Sequence, residues 1–141
     1  MAVRAAPRLV LAEAKAFRQY LRSNGRRVLG VDVGSYRVGF AIAEDLDGFA
    51  MPLQVVKRQN QLTADVSAFI RNVVHSSDIG GLVVGWPLAP DGSEGVSCRR
   101  VARFMRQVSR EAKIALPFTY FDESNTTVNA YEGLKEDVGR E

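Results

Sequence analysis

One cysteine and one histidine are all that this chain of 141 residues contains. With Cys98 alone, an internal disulfide framework is excluded and a reducing compartment fits. The residue reads as a small helix position rather than a nucleophile. His75, near an expected helix end, has no second imidazole with which to share a metal. Together these scarcities exclude a histidine-based triad and a zinc site of the usual Cys/His type. Long apolar runs are also lacking, so no membrane span and no membrane partner is expected. Acids are scarce at the start of the chain: residues 1–27 carry Arg4, Arg8, Lys15, Arg18, Arg22, Arg26 and Arg27 against Glu13 alone.

The net charge of +3 therefore joins a strongly basic leader to a mildly acidic body. Three readings of the leader stand side by side. An Arg-rich, acid-poor N-terminus resembles an organelle targeting segment, which would make the protein plastid or mitochondrial rather than cytoplasmic. Val10, Ala14, Phe17 and Leu21 also fall on one helical face, which suits a helix docked on the domain. The same basic helix could touch nucleic-acid phosphates. Residues 1–27 are taken as an extension and 28–141 as one domain, long enough to bury a core without staples.

Residues 28–33 (Val-Leu-Gly-Val-Asp-Val) are apolar at nearly every position and read as a strand buried on both faces. The turn Gly34-Ser-Tyr-Arg37 returns into a second strand, 38–43, making a hairpin. Residues 49–57 form a third strand, with Pro52 pointing to a sheet edge. Leu62, Val66, Phe69, Ile70 and Val73 mark an amphipathic helix that Asn60 can cap. A fourth strand at 81–84, a Gly/Pro-rich loop, a helix from about Val96 to Lys113, a fifth strand at 118–121 and a helix from Asn125 complete a βββαβαβα order. Helix-linked strands favour parallel neighbours and the opening hairpins are antiparallel. The expectation is an α/β fold: a mixed five-stranded sheet in the order 3-2-1-4-5, helices on both faces, plus the N-terminal helix.

Three segments carry the chemistry, each at a strand end: Asp32 to Gly39, Val84 to Gly95 and Phe121 to Thr127. Asp32 interrupts an apolar strand, and a buried acid is costly unless compensated. A metal ion would compensate it, as would a hydrogen bond to the hairpin turn. Gly34 and Gly39 allow close backbone approach, which suits a phosphate. On the second helix Arg99, Arg103, Arg106 and Arg110 share one face, either tracking a phosphate backbone or simply solvated. Trp86 either stacks a base or packs its loop.

These segments, Asp-Val-Gly-x-x-Arg-Val-Gly, Val-Val-Gly-x-Pro-Leu-x-x-Asp-Gly-Ser-Glu-Gly and Asp-Glu-x-x-x-Thr, resemble the YqgF/RuvX family over roughly residues 28–135. The resemblance implies an RNase H-like fold and a Mg²⁺- or Mn²⁺-dependent nuclease using two ions. It further implies action on ribosomal RNA precursors or on branched DNA such as a Holliday junction. It assigns Asp32 to the first-strand metal carboxylate and Asp122 and Glu123 to the acidic pair after the fifth strand. Neighbours on a strand face opposite ways, so at most one of that pair should join Asp32 unless the strand has ended. Asp91 and Glu94 match the acidic positions of the fourth-strand loop, with Glu94 a further metal ligand or a partner of the helix dipole. Gly34, Arg37, Arg99, Arg103 and Arg106 are the substrate-binding candidates.

Two departures from the family pattern stand out. Ser124 replaces the arginine of Asp-Glu-Arg. The family's last helix, with its own metal-binding aspartate, would begin after Glu141, and Asp137 comes too early to replace it. A truncated form or an impaired site would account for this, and a non-catalytic nucleic-acid-binding or ribosome-assembly factor is the reading from another class. An actin-like ATPase fits least, because the chain is too short for a second lobe and shows no second phosphate loop. A monomer or weak homodimer is expected, in an intracellular compartment.

Overall fold

Valine-rich β2 (Arg27–Val33) is the central strand, and its neighbours follow from how the chain can return to it. The tight turn at 34–36 brings β3 (Arg37–Ala43) back antiparallel, and β4 (Ala50–Lys57) pairs antiparallel on the outer side of β3. The crossover through α2 (Ala64–Ser77) lays β5 (Ile79–Trp86) parallel to β2 on its other side. A second crossover through α3 (Val96–Glu111) adds β6 (Pro117–Asp122) parallel to β5. This is the computed structural model of the chain, which describes residues 6–24, 26–59 and 62–122. The expected cap Asn60, the acid Glu123 and the helix expected from Asn125 lie outside the described residues.

The expected 3-2-1-4-5 arrangement is thus present, with β4 at one edge and its Pro52 exposed. The strand count was one short. A two-residue strand, β1 (Val10–Leu11), lies parallel to β6 and gives a six-stranded order β1-β6-β5-β2-β3-β4. Its ladder consists of Val10 N–H donating to the Leu116 carbonyl and Ala12 N–H to the Phe118 carbonyl, each at 2.9 Å. The leader helix is accordingly shorter than its apolar spacing suggested. Val10 is exposed on β1, and α1 spans Ala14–Asn24.

Alternation along the strands divides the core into two layers. On one face Leu29, Val31, Val38, Phe40, Leu82, Val84 and Phe118 pack beneath Val66 and Ile70 of α2 and Val101, Phe104, Met105 and Val108 of α3. On the other, Val28, Ala41, Ala43, Val83 and Phe121 pack against Phe17 and Leu21 of α1. Of the leader's three readings, the docked helix describes α1. The approach is close because Gly81 has no side chain: a Cβ there would lie 2.6 Å from the Phe17 ring. Burying Phe17 contributes about 1.5–3 kcal/mol. Opposite it, α2 and α3 are tied together by the Thr63 hydroxyl donating to the Glu111 carboxylate and by Arg71 Nη1 donating to the Glu111 carbonyl at 3.0 Å.

Candidate nucleic-acid interface

The C-terminal ends of β2, β5 and β6 form one rim of the sheet, and all three sequence segments open onto it. Register decides which acids meet. Val31 pairs with Val84 and Val84 with Tyr120, so these three share the α2/α3 face. Asp32 is one residue beyond Val31 and lies on the α1 face, the face of Phe121. Asp122 is one residue beyond Phe121 and returns to the α3 face, paired with Trp86. Asp32 and Asp122 are therefore not brought together. Glu123 lies outside the described residues.

Asp32 is also exposed, which corrects the expectation of an acid sealed in an apolar strand. Its apolar neighbours Val31 and Val33 face the other side, and the strand ends too soon for its own side to be covered. The burial cost that seemed to require a counter-ion is absent. What remains is a carboxylate presented to solvent at a strand end.

The other acids serve the loop after β5 or lie near α3. Asp91 Oδ1 accepts from the Ser93 N–H at 2.9 Å and the Ser93 hydroxyl at 2.6 Å, and these bonds hold its carboxyl below its ordinary range. Glu94 accepts from the indole N–H of Trp86 at 3.2 Å. Trp86 in turn packs on Tyr120, ring centroids 4.3 Å apart, which is the loop-packing role. Cys98, buried on α3, has its thiol pushed up first by burial, then by the Glu94 carboxylate, with Asp122 adding to the effect. Glu94 and Asp122 thus lie on the side of Cys98. Among the described residues no three His, Cys, Asp or Glu side chains come together to hold a metal.

The hairpin turn is explained by its own backbone. Gly34 N–H donates to the Arg37 carbonyl at 2.8 Å, and a Cβ at Gly34 would lie 2.7 Å from that oxygen. Turn closure is by itself a reason for a glycine here. Arg37 is exposed on the Asp32 side of β3.

The arginine stripe of α3 divides between two cavities. Arg99 and Arg103 line one of about 310 Å³ together with Ser35, Arg58, Arg100 and Phe104. Arg106 and Arg110 line another of about 550 Å³, with Arg8, Val10 and Tyr120, beside β1. Arg58 and Arg100 were missed by sequence reasoning. Arg58 follows the edge strand and is distant from α3 in sequence, and Arg100 is off the four-residue spacing. The guanidinium of Arg58 donates through Nη1 to the Gly34 carbonyl at 3.0 Å and sits 4.8 Å from the centre of the Phe104 ring.

The sequence profile of the RuvX family, described as Holliday junction resolvase, matches residues 26–141. A provisionally named pre-16S rRNA nuclease of Roseobacter denitrificans is 36% identical over 111 residues, covering 79% of this chain and 67% of its own length. A protein of the same name from Syntrophus aciditrophicus is 38% identical over 108 residues, covering 77% and 69%. Among solved structures, RuvC of T. thermophilus in complex with a Holliday junction substrate aligns with a TM-score of 0.48 at 17% identity. That alignment covers 70% of this chain and 66% of that one.

Proposed function

Because the chain belongs to the RuvX family, we propose that it is a divalent-metal-dependent nuclease acting on structured nucleic acid, with ribosomal RNA precursors as the substrate. The observation that carries this reading is Asp32: an exposed carboxylate at the C-terminal end of the central strand, in the family's first-strand motif. Such a group offers hard oxygen donors of the kind Mg²⁺ and Mn²⁺ take. Asp32 would hold the metal with Glu123, the other acid of the family's Asp-Glu pair, because Asp122 stands on the opposite face. Asp122 and Glu94, on the α3 side, are assigned to shaping the rim. Divalent metal bound there would supply an activated water and charge stabilisation for the leaving oxygen of the phosphodiester.

This chain's own residues position the polymer. Arg37, beside Asp32 on the sheet, neutralises backbone charge next to the scissile phosphate, and the arginines of α3 hold flanking phosphates. No side-chain nucleophile is needed. Branched DNA is the second reading, favoured by the description of the family as Holliday junction resolvase.

The test presents the purified full chain with a precursor ribosomal RNA fragment and a four-way DNA junction, each with Mg²⁺ and with Mn²⁺. Cleavage of the RNA supports the first reading, and paired incision of the junction alone supports the second. Binding without cleavage in either metal overturns both and leaves a nucleic-acid-binding factor.

A further inference from the structure

Four guanidinium groups, from Arg58, Arg99, Arg100 and Arg103, line one cavity of about 310 Å³, and among the described residues lining it there is no carboxylate. The ion pairs formed by arginines elsewhere join Arg18 to Asp47, Arg26 to Asp78 and Arg27 to Glu44. Among the described residues none joins Arg99, Arg100 or Arg103 to an acid. Like charges collected in this way repel; at Arg58 burial, and after it the neighbouring Arg100, hold the guanidinium below its ordinary value. An anion seated among them relieves that repulsion.

Arg58 is what turns a charged helix face into a built pocket. It is half-buried and held by contacts that include the Gly34 carbonyl and the Phe104 ring. Its planar group is therefore fixed before a ligand arrives, and little side-chain freedom remains to be lost. Ser35, in the turn, supplies a hydroxyl at the same cavity. The volume is at the lower end of small-ligand sites, enough for a phosphate with part of its attached sugar. The turn that forms one wall begins two residues after Asp32, so a chain held here has only to round that turn to reach the acid.

We propose that the pocket formed by Ser35, Arg58, Arg99, Arg100 and Arg103 binds a phosphate group of the nucleic-acid backbone and anchors the strand on the α3 side of the hairpin turn. This deepens the nuclease reading by giving the substrate a fixed point, and it rests on that reading only for the identity of the polymer.

Binding of a fluorescently labelled RNA hairpin is measured by anisotropy in EDTA, between about 50 and 200 mM KCl. The variant R99Q/R100Q/R103Q should flatten the salt slope by at least ~0.7, one phosphate contact. The control K15Q/R22Q/K113Q removes the same charge from exposed positions elsewhere and should leave the slope unchanged. Arg58→Lys keeps the charge and loses the planar fork, and should weaken binding about tenfold. Equal loss in the variant and its control, or no loss in either, overturns the pocket. A free nucleotide is the other source of phosphate: if AMP raises the thermal midpoint of wild type but not of Arg58→Lys, while the RNA slope stays unchanged, the backbone assignment falls. Because no metal is present, the result is independent of cleavage. A flattened slope in a chain that never cuts RNA or DNA keeps the pocket and removes the nuclease.

Discussion

Asp32 and Asp122 stand at the same rim of the sheet and on opposite faces of it. The register Val31–Val84–Tyr120 leaves no other arrangement, because each acid is an odd or even step beyond that shared row. Two acids that the family resemblance draws to one metal are thereby separated by the pleat.

Mutation of the acids should report that separation. Asp32→Asn is expected to lower metal-dependent cleavage more than ~100-fold while leaving RNA affinity in EDTA unchanged. Glu123→Gln should approach the same loss. Asp122→Asn should retain most of the activity. Single-turnover cleavage with Mn²⁺ measures all three, and a larger loss for Asp122→Asn than for Glu123→Gln would reverse the assignment.

The same geometry predicts the chemistry of Cys98. With its thiol raised by burial, Glu94 and Asp122, alkylation by iodoacetamide at pH 8 should be slow in the native protein and rapid in urea. Asp122→Asn should speed the native reaction by lowering the thiol's pKa. The folded value is above the unfolded one. The thiol's contribution to stability is therefore complete below about pH 8.5 and is lost as pH rises through the folded value. Urea midpoints across that range, with Cys98→Ala as the flat reference, give the slope.

Glycine substitutions should separate contact from open space. Gly81→Ala drives a methyl into the Phe17 ring and should cost about 1–3 kcal/mol. Gly95 precedes α3, has nothing within 4 Å of a would-be Cβ, and the helix lacks a side-chain cap. Gly95→Ser should therefore gain a few tenths of a kcal/mol. Urea denaturation of both variants checks the pair.

Removing the leader's anchor is the complementary test. Phe17→Ala should destabilise the whole domain by about 3–5 kcal/mol, because its ring fills the layer between α1 and β5. A separate, low-temperature transition for the leader would show that it folds independently of the sheet.

The sequence made the sheet order legible because each connection had one short solution: turns between the first three strands, helices before the last two. Pro52 marked the edge and the spacing Val101, Phe104, Met105, Val108 marked the buried side of α3. Two features were not legible. A two-residue strand such as β1 has no periodicity to read, so Val10 was counted with the helix. The exposure of Asp32 was hidden because apolar neighbours at Val31 and Val33 face away from it, and a one-dimensional pattern does not show where a face stops being covered. Arg58 belonged to neither class. Its partnership with α3 exists only after the chain has crossed the sheet.

Strand β1, the smallest element of the fold, acts as a register lock. Without it β6 would be an edge strand held by β5 alone, free to slide along one ladder. Anchored also by Val10 and Ala12, it is clamped between two neighbours. A slip of a single position would swing Asp122 across to the Asp32 side of the sheet. Val10 and Leu11, only two residues, therefore help to set the face on which Asp122 stands.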